Sequence, residues 1–167
     1  MKGEFQMHLA SLIPHDTEVL FLCIGTDRST GDSVGPITGT WLEEKGYKVI
    51  GTLNNPLHAL NLEERVKSSK EIYPNHFVIA IDACLGRVEK IGQIVVEHGP
   101  LFPGKAVKKE LPAVGDVAIK AIVNVGGFQE YTVLQNTRLS LVWNLAKEIV
   151  EMCDGVMENR KHLVFAV

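Results

Sequence analysis

Two apolar runs constrain the fold more than any other feature of the chain. Val19-Leu20-Phe21-Leu22-Cys23-Ile24 stops at Gly25, and Phe77-Val78-Ile79-Ala80-Ile81 stops at Asp82, with no polar residue inside either run. A strand buried on both faces reads this way, and such strands belong to parallel sheets covered by helices. The segments between them supply those helices. Val34, Ile37, Thr38, Trp41 and Leu42 fall at helical spacing before Gly46, which predicts a helix over 33–45. A second strand is expected over 48–53 and a polar surface helix over 60–70. After the third strand, the connection to 92–98 is too short for a crossover helix, so that segment is expected to pair antiparallel at an edge. Residues 99–115, with Pro100, Pro103, Gly104 and Pro112, read as a loop. Another strand is expected over 117–125. Leu139, Val142, Trp143, Ala146, Ile149, Val150 and Cys153 form one stripe of a helix over 137–157. Residues 163–167 read as a last short strand or a surface-packed tail. Strands alternating with helices predict an α/β domain, a three-layer α/β/α sandwich whose sheet is mostly parallel with an antiparallel edge strand.

A length of 167 residues predicts a single domain, here 18–167, preceded by an N-terminal arm over 1–17. Seventeen basic against 20 acidic residues give a net charge of −3, so no electrostatic footprint for nucleic acid or anionic lipid is present. The arm lacks the apolar core of a signal peptide, and the run that follows it falls far short of the roughly 20 residues of a membrane span. Three widely spaced cysteines, Cys23, Cys84 and Cys153, suggest neither a disulfide framework nor a thiolate zinc site. The chain is therefore expected in a reducing cytoplasm, without nucleic-acid or membrane partners.

Ligands of parallel sheets sit outside the carboxyl ends of the strands. Chemistry is therefore sought in TDRSTGDS, NNPLH and DACLGR. The first is not a phosphate-binding loop, because its glycines are one residue too far apart and Asp32 stands where a lysine would hold phosphate. Gly31-Asp32-Ser33-Val34 resembles the start of the GDSL-type esterases, which makes Ser33 the nucleophile of a weaker alternative. Cys84, beside Ala83 at an apolar strand end, reads as core rather than nucleophile. Two carboxylates remain. Asp32 is read either as a helix N-cap or as an acid/base group. Asp82 carries a desolvation cost unless it is paired, with Arg28 or Arg87 for example, or used. Facing one cleft, the two would hold one proton between them.

CIGTDRSTGDSVGP and FVIAIDACLGR resemble, in order and spacing, the two signature regions of the germination protease of spore-forming bacteria. LPAVGD, VNVGGF and LQNTRLSLV are further similar to segments of small YyaC-type sporulation proteins. The resemblance runs from about Val19 to Met157. It implies a phosphorylase/hydrolase-like fold shared with the hydrogenase maturation endopeptidases, and it places the catalytic aspartates on Asp32 and Asp82. In those endopeptidases the corresponding acidic residues and a later histidine bind nickel. The loop at matching order, Leu111-Pro112-Ala113-Val114-Gly115-Asp116, holds no histidine. No cofactor is expected, and Asp32 and Asp82 are the ligands of a divalent metal if one is used.

The resulting expectation is a sporulation-associated peptidase of the cytoplasm of the sporulating cell. Its substrate is a protein or peptide, with small acid-soluble spore proteins as the class the resemblance implies. Backbone amides from Gly31 to Val34 are expected to hold the oxyanion. Asp27, Arg28, Gly31, Ser33, Asn54, Asn55, His58 and Asp116 are the further cleft candidates. The non-enzyme alternative is a binding protein that uses the 99–115 loop and the 123–131 turn as a partner surface.

Overall fold

The computed structural model describes residues 2–104 and 110–164. Five strands form one sheet in the order β2-β1-β3-β5-β4, comprising β1 (Val19–Cys23), β2 (Lys48–Ile50), β3 (Phe77–Gly86), β4 (Ile94–His98) and β5 (Val117–Val125). β2, β1, β3 and β5 run parallel, and β4 pairs antiparallel with β5 at the edge. The helices are α1 (Lys2–Leu12), α2 (Val34–Glu44), α3 (Leu62–Ile72), α4 (Glu130–Gln135) and α5 (Leu139–Val164). The chain thus adopts the α/β architecture that its apolar runs demand.

Alternation along the strands divides the core into two layers. Phe21, Cys23, Ile79, Ile81, Val117 and Ile119 pack under α1, α2 and α5. Leu20, Leu22, Ile24, Ala80 and Ala118 face Leu62 and Val66 of α3. Each fully buried Leu, Ile or Phe contributes about 1.5–3 kcal/mol to this core. The two layers differ in extent. On the α3 side the far strands are covered, among the described residues, by a strap in which Leu101 pairs with Val114.

Several elements depart from the sequence reading. The segment expected as an arm over 1–17 contains α1, whose Leu9 is fully buried and whose successor Ile13 enters the main core. Phe5, Leu9 and Leu12 have helical spacing, but Met7 and Ala10 between them blur the stripe. β2 is shorter than the 48–53 segment because Gly51 turns the chain with a φ of +101°. β3 continues to Gly86, five residues past the end of the apolar run, with a bulge between Cys84 and Leu85. Asp82 therefore lies inside the strand, opposite Lys120. The apolar pattern stops early because the α3 face loses its cover there, not because the backbone leaves the sheet. α4 is new, since six residues are too few to show a period. Residues 163–164, read as strand or tail, are the last turn of α5, and 165–167 lie outside the described residues, as do 105–109 of the long loop.

A candidate aspartate site at the carboxyl edge

In this strand order the chain moves from β1 outward to β2 and then returns to β3 on the other side, so the topological switch point lies between β1 and β3. Asp32 and Asp82 converge there. Ile24, just past β1, donates its N–H to the Ile81 carbonyl at 2.7 Å, which puts Asp82 level with the start of the loop that carries Asp32. That loop folds back tightly. Thr26 N–H donates to the Asp32 carbonyl at 3.1 Å, and Asp32 N–H donates to the Ser29 carbonyl at 3.0 Å within a single 3-10 turn, Thr30–Ser33.

Close backbone approach makes this geometry possible. Gly25 has a φ of +143°, and a Cβ on it would lie 1.9 Å from the Asp32 carbonyl oxygen. Gly35, in the first turn of α2, sits so near β1 that a Cβ would lie 1.9 Å from the Ile24 oxygen. Gly31 is pressed against Leu134 of α4, with room for no side chain. These glycines bring the Asp32 turn down onto the sheet edge.

The electrostatics follow from that proximity. Burial pushes the Asp82 carboxyl well above the ordinary carboxylate range, the negative charge of Asp32 raises it further, and the Ala83 backbone N–H acts in the opposite direction. Asp32 is also raised, by burial, with the Ser29 hydroxyl pulling it down. Both residues keep a partly exposed surface. The groups acting on Asp82 are thus a second carboxyl and a backbone amide, while Arg28 and Arg87, the partners weighed from sequence, are solvent-exposed. Nor is Asp32 an N-cap. It lies within the 3-10 turn, and the cap positions of that turn and of α2 are Ser29 and Ser33.

The other candidates separate clearly. Gly31 and Ser33 lie beside Asp32 in its turn, but Ser33 is buried and its hydroxyl donates to the Thr30 carbonyl at 2.6 Å. Of the amides from Gly31 to Val34, that of Asp32 is committed to Ser29. Asp27 and Arg28 are exposed on the loop, and the Arg28 N–H donates to Thr26 Oγ1 at 3.2 Å. Asn54 and Asn55 are exposed in the turn after β2, where the Asn55 carbonyl accepts from Arg65 at 3.1 Å. His58 follows Leu57, which bridges to Ile24, so it stands near the carboxyl edge. Its Nδ1 accepts from the Leu60 N–H at 3.2 Å, which leaves the proton of the neutral ring on Nε2.

Asp116 does not belong to the site. It precedes β5 at the opposite end of the sheet, where its Oδ2 accepts from the Val78 N–H at 2.8 Å. Four residues of strand, roughly 13 Å, separate Val78 from Asp82. Its role is to cap an amide at the start of the sheet. Sequence order alone aligned it with a ligand loop, whereas its bond to Val78 fixes it at the amino end of β3.

Two contributors, Ser29 and Lys120, were missed. Ser29 is 5% exposed and its hydroxyl, beside Asp32, has no well-formed hydrogen bond among the described residues. Lys120 projects from β5 next to Asp82 and pairs with Glu97 of β4 at 2.6 Å. The signal for Lys120 was present, because it is the one charge inside Val117–Val123.

A nickel-type site does not fit this donor set. Among the described residues, no group of three or more His, Cys, Asp or Glu side chains is gathered to hold a metal. The two carboxyls offer hard oxygen donors alone, which suit a borderline metal such as nickel poorly.

Comparison with known proteins places the molecule. Residues 2–152 match the model of a family described as a protein of unknown function, DUF1256. The chain belongs to this family. It is 51% identical over 136 residues to the uncharacterized protein YyaC of Bacillus subtilis (strain 168), a match spanning 80% of this chain and 66% of that relative. Among solved structures it is similar to the [NiFe] hydrogenase maturation protease HycI from Thermococcus kodakarensis KOD1, with a TM-score of 0.59 and 17% identity over 90% of this chain and 99% of the other. The maturation protease HybD from Thermococcus kodakarensis gives a TM-score of 0.54, again at 17% identity, over 84% of this chain and 99% of the other. These likenesses establish that this DUF1256 chain has the hydrogenase maturation protease fold. Among its described residues no helix is long and apolar enough to cross a membrane.

Proposed function

We propose that the chain is a germination-protease-like peptidase that hydrolyses peptide bonds with Asp32 and Asp82 as a dyad. The observation that carries this reading is the convergence of two partly buried carboxyls at the topological switch point, close enough for the charge of Asp32 to raise Asp82. Asp82 is the more strongly raised and holds the shared proton, leaving Asp32 as the ionised base. Asp32 takes a proton from a water as its oxygen attacks the scissile carbonyl. Asp82 donates its proton to the carbonyl oxygen. The proton taken up by Asp32 then passes to the departing amine as the C–N bond breaks, and one hydroxyl of the collapsing diol returns its proton to Asp82, which restores the dyad and forms the product carboxyl group. Ser29 stabilises the ionised form of Asp32. The substrate class is a protein or peptide, small acid-soluble spore proteins being the first choice, and the place of action is the cytoplasm of the sporulating cell. The resemblance of the two signature regions to the germination protease supports both.

The test is incubation of purified protein with small acid-soluble spore proteins, with and without added divalent cation, read by mass spectrometry. Asp32→Asn and Asp82→Asn are each expected to lower turnover by at least about a hundredfold while leaving the circular dichroism spectrum unchanged. Unchanged activity in either variant would sink the dyad. Ester hydrolysis lost in Ser33→Ala and retained in Asp82→Asn would transfer the assignment to the esterase reading.

One observation favours a binding role as the second reading. Phe128 is 77% exposed on the turn that follows β5, and Tyr131 is 64% exposed in the first turn of α4. Such an aromatic rim suits a protein partner. This reading predicts no turnover of any peptide, together with partner binding that Phe128→Ser weakens.

A further inference from the structure

The two edges of the sheet are finished differently. β2 is three residues long, begins with Lys48 and ends where Gly51 turns the chain, and a short edge strand with a lysine resists pairing with another chain. β4 has none of these protections. It runs for five residues, Ile94–His98, in unbroken antiparallel register with β5, without proline, lysine or bulge. Its one carboxylate, Glu97, is tied back to Lys120 inside the sheet at 2.6 Å. An edge of this kind persists in a soluble protein when something covers it.

The groups that the edge offers follow from the ladder. Ile122 N–H donates to the Gln93 carbonyl at 2.9 Å and Gly99 N–H to the Asp116 carbonyl at 2.8 Å, one at each end of the β4–β5 pair. Bonded and unbonded positions alternate in an antiparallel pair, so Val95 and Glu97 bond to β5, while the N–H and C=O groups of Ile94, Val96 and His98 point outward. Among the described residues no group bonds to them. α1 packs against β4 from the helical side, where Phe5 and Ile94 line one recess, and supplies no backbone partner among its described residues. Gly92, with a φ of +88°, and Pro100, which has no N–H, close the open stretch at its two ends.

We infer that the outer edge of β4 pairs with a second copy of this chain, antiparallel, about a twofold axis through Val96. Val96 is both the middle of the strand and an outward residue. This register therefore sets Val96 against itself and Ile94 against His98 of the second copy, and every outward group finds a partner. Charge and bonding exclude the neighbouring registers. A shift one way sets Glu97 directly against Glu97 and Ile94 against Pro100, which has no N–H to give. A shift the other way sets His98 against Gly92, whose N–H is already given to the Ile122 carbonyl at 2.8 Å. With the axis through Val96, Val95 falls opposite Glu97 of the second copy and no like charges meet. A strand already held on a folded chain loses little conformational entropy on docking, which favours a second copy over an extended peptide that must first be ordered. The axis stands normal to the sheet, so the two aspartate pairs open at opposite ends of the joined sheet and neither is covered.

The test is sedimentation equilibrium of the full chain from about 5 μM to about 1 mM, a range that suits a small interface, with amide exchange followed by NMR over the same range. A concentration-dependent dimer is expected. In it the amides of Ile94, Val96 and His98 should exchange at least about tenfold more slowly than in the dilute chain, while those of Val95 and Glu97 are equally protected at both ends of the range. Val95→Glu sets a carboxylate against Glu97 of the second copy, whereas within its own chain the new carboxylate lies opposite Lys120. It is expected to weaken the dimer about tenfold while leaving the Tm of the dilute chain unchanged. A chain that stays monomeric throughout overturns the inference. So does a dimer that leaves the outward amides unprotected, or one that Val95→Glu leaves as tight as before. Protection of those amides that appears on adding a synthetic peptide of alternating Thr and Val, but not on concentrating the chain, assigns the edge to an extended peptide and likewise overturns the pairing of copies.

Discussion

A carboxyl group held above its ordinary titration range favours the folded chain only while it is protonated. Asp82 and Asp32 are both in this position. Below the ordinary carboxylate range, near pH 4, both states carry the proton and the stabilising contribution is complete. As the pH rises toward the raised folded values, the unfolded chain releases its protons first and stability falls. Asp82→Asn is therefore expected to raise Tm at pH 7 and to lose that advantage near pH 3.5. A Tm difference that does not vary with pH contradicts the burial of this charge. The same pair should give a bell-shaped dependence of turnover on pH, its limbs belonging to the pair rather than to either residue. Ser29 lowers the Asp32 carboxyl, so Ser29→Ala is expected to move the acid limb upward. A limb that stays in place would remove Ser29 from the site.

At the scale of elements, the contact between β1 and α2 sets where the Asp32 turn can lie. Gly35→Ala drives a methyl group into the Ile24 carbonyl oxygen, a backbone atom that cannot rotate away. The expected cost is about 3 kcal/mol, at the upper end for overpacking, measured by urea denaturation. A cost below about 1 kcal/mol would show that α2 can shift freely. The strands and α2 were legible because their apolar runs and periods are long. The proximity of Asp32 and Asp82 was legible because Asp82 ends one apolar run and Asp32 stands just before the helix that follows the other, which sets both toward the carboxyl edge. Asp116 misled, since order along the chain does not record which end of a strand a loop reaches. α4 and Ser29 were hidden for a different reason. Their roles depend on contacts with Gly31 and Asp32 that no local pattern encodes.

Across the whole molecule, the two ends of the chain are fastened to each other. Arg160, near the end of α5, donates to the carbonyls of Ile13 at 3.3 Å, Pro14 at 2.7 Å, His15 at 3.2 Å and Thr17 at 3.0 Å. Arg160→Ala leaves these carbonyls to solvent and is expected to cost about 2 kcal/mol, with faster amide exchange in α1 before any change in β1 or β3. Uniform exchange across the chain would mean that α1 and the sheet open together. The three thiols are distributed just as unevenly. Cys23 and Cys153 are fully enclosed, whereas Cys84 is partly exposed in a cavity on the α3 side of the sheet. With its proton held up to about 11, Cys84 reacts slowly at neutral pH, yet it is the first thiol a maleimide can reach. The native chain is thereby supplied with a site for a single fluorescent label two residues along β3 from Asp82, and occupancy of the space beside it can be timed in the wild-type protein without introducing any cysteine.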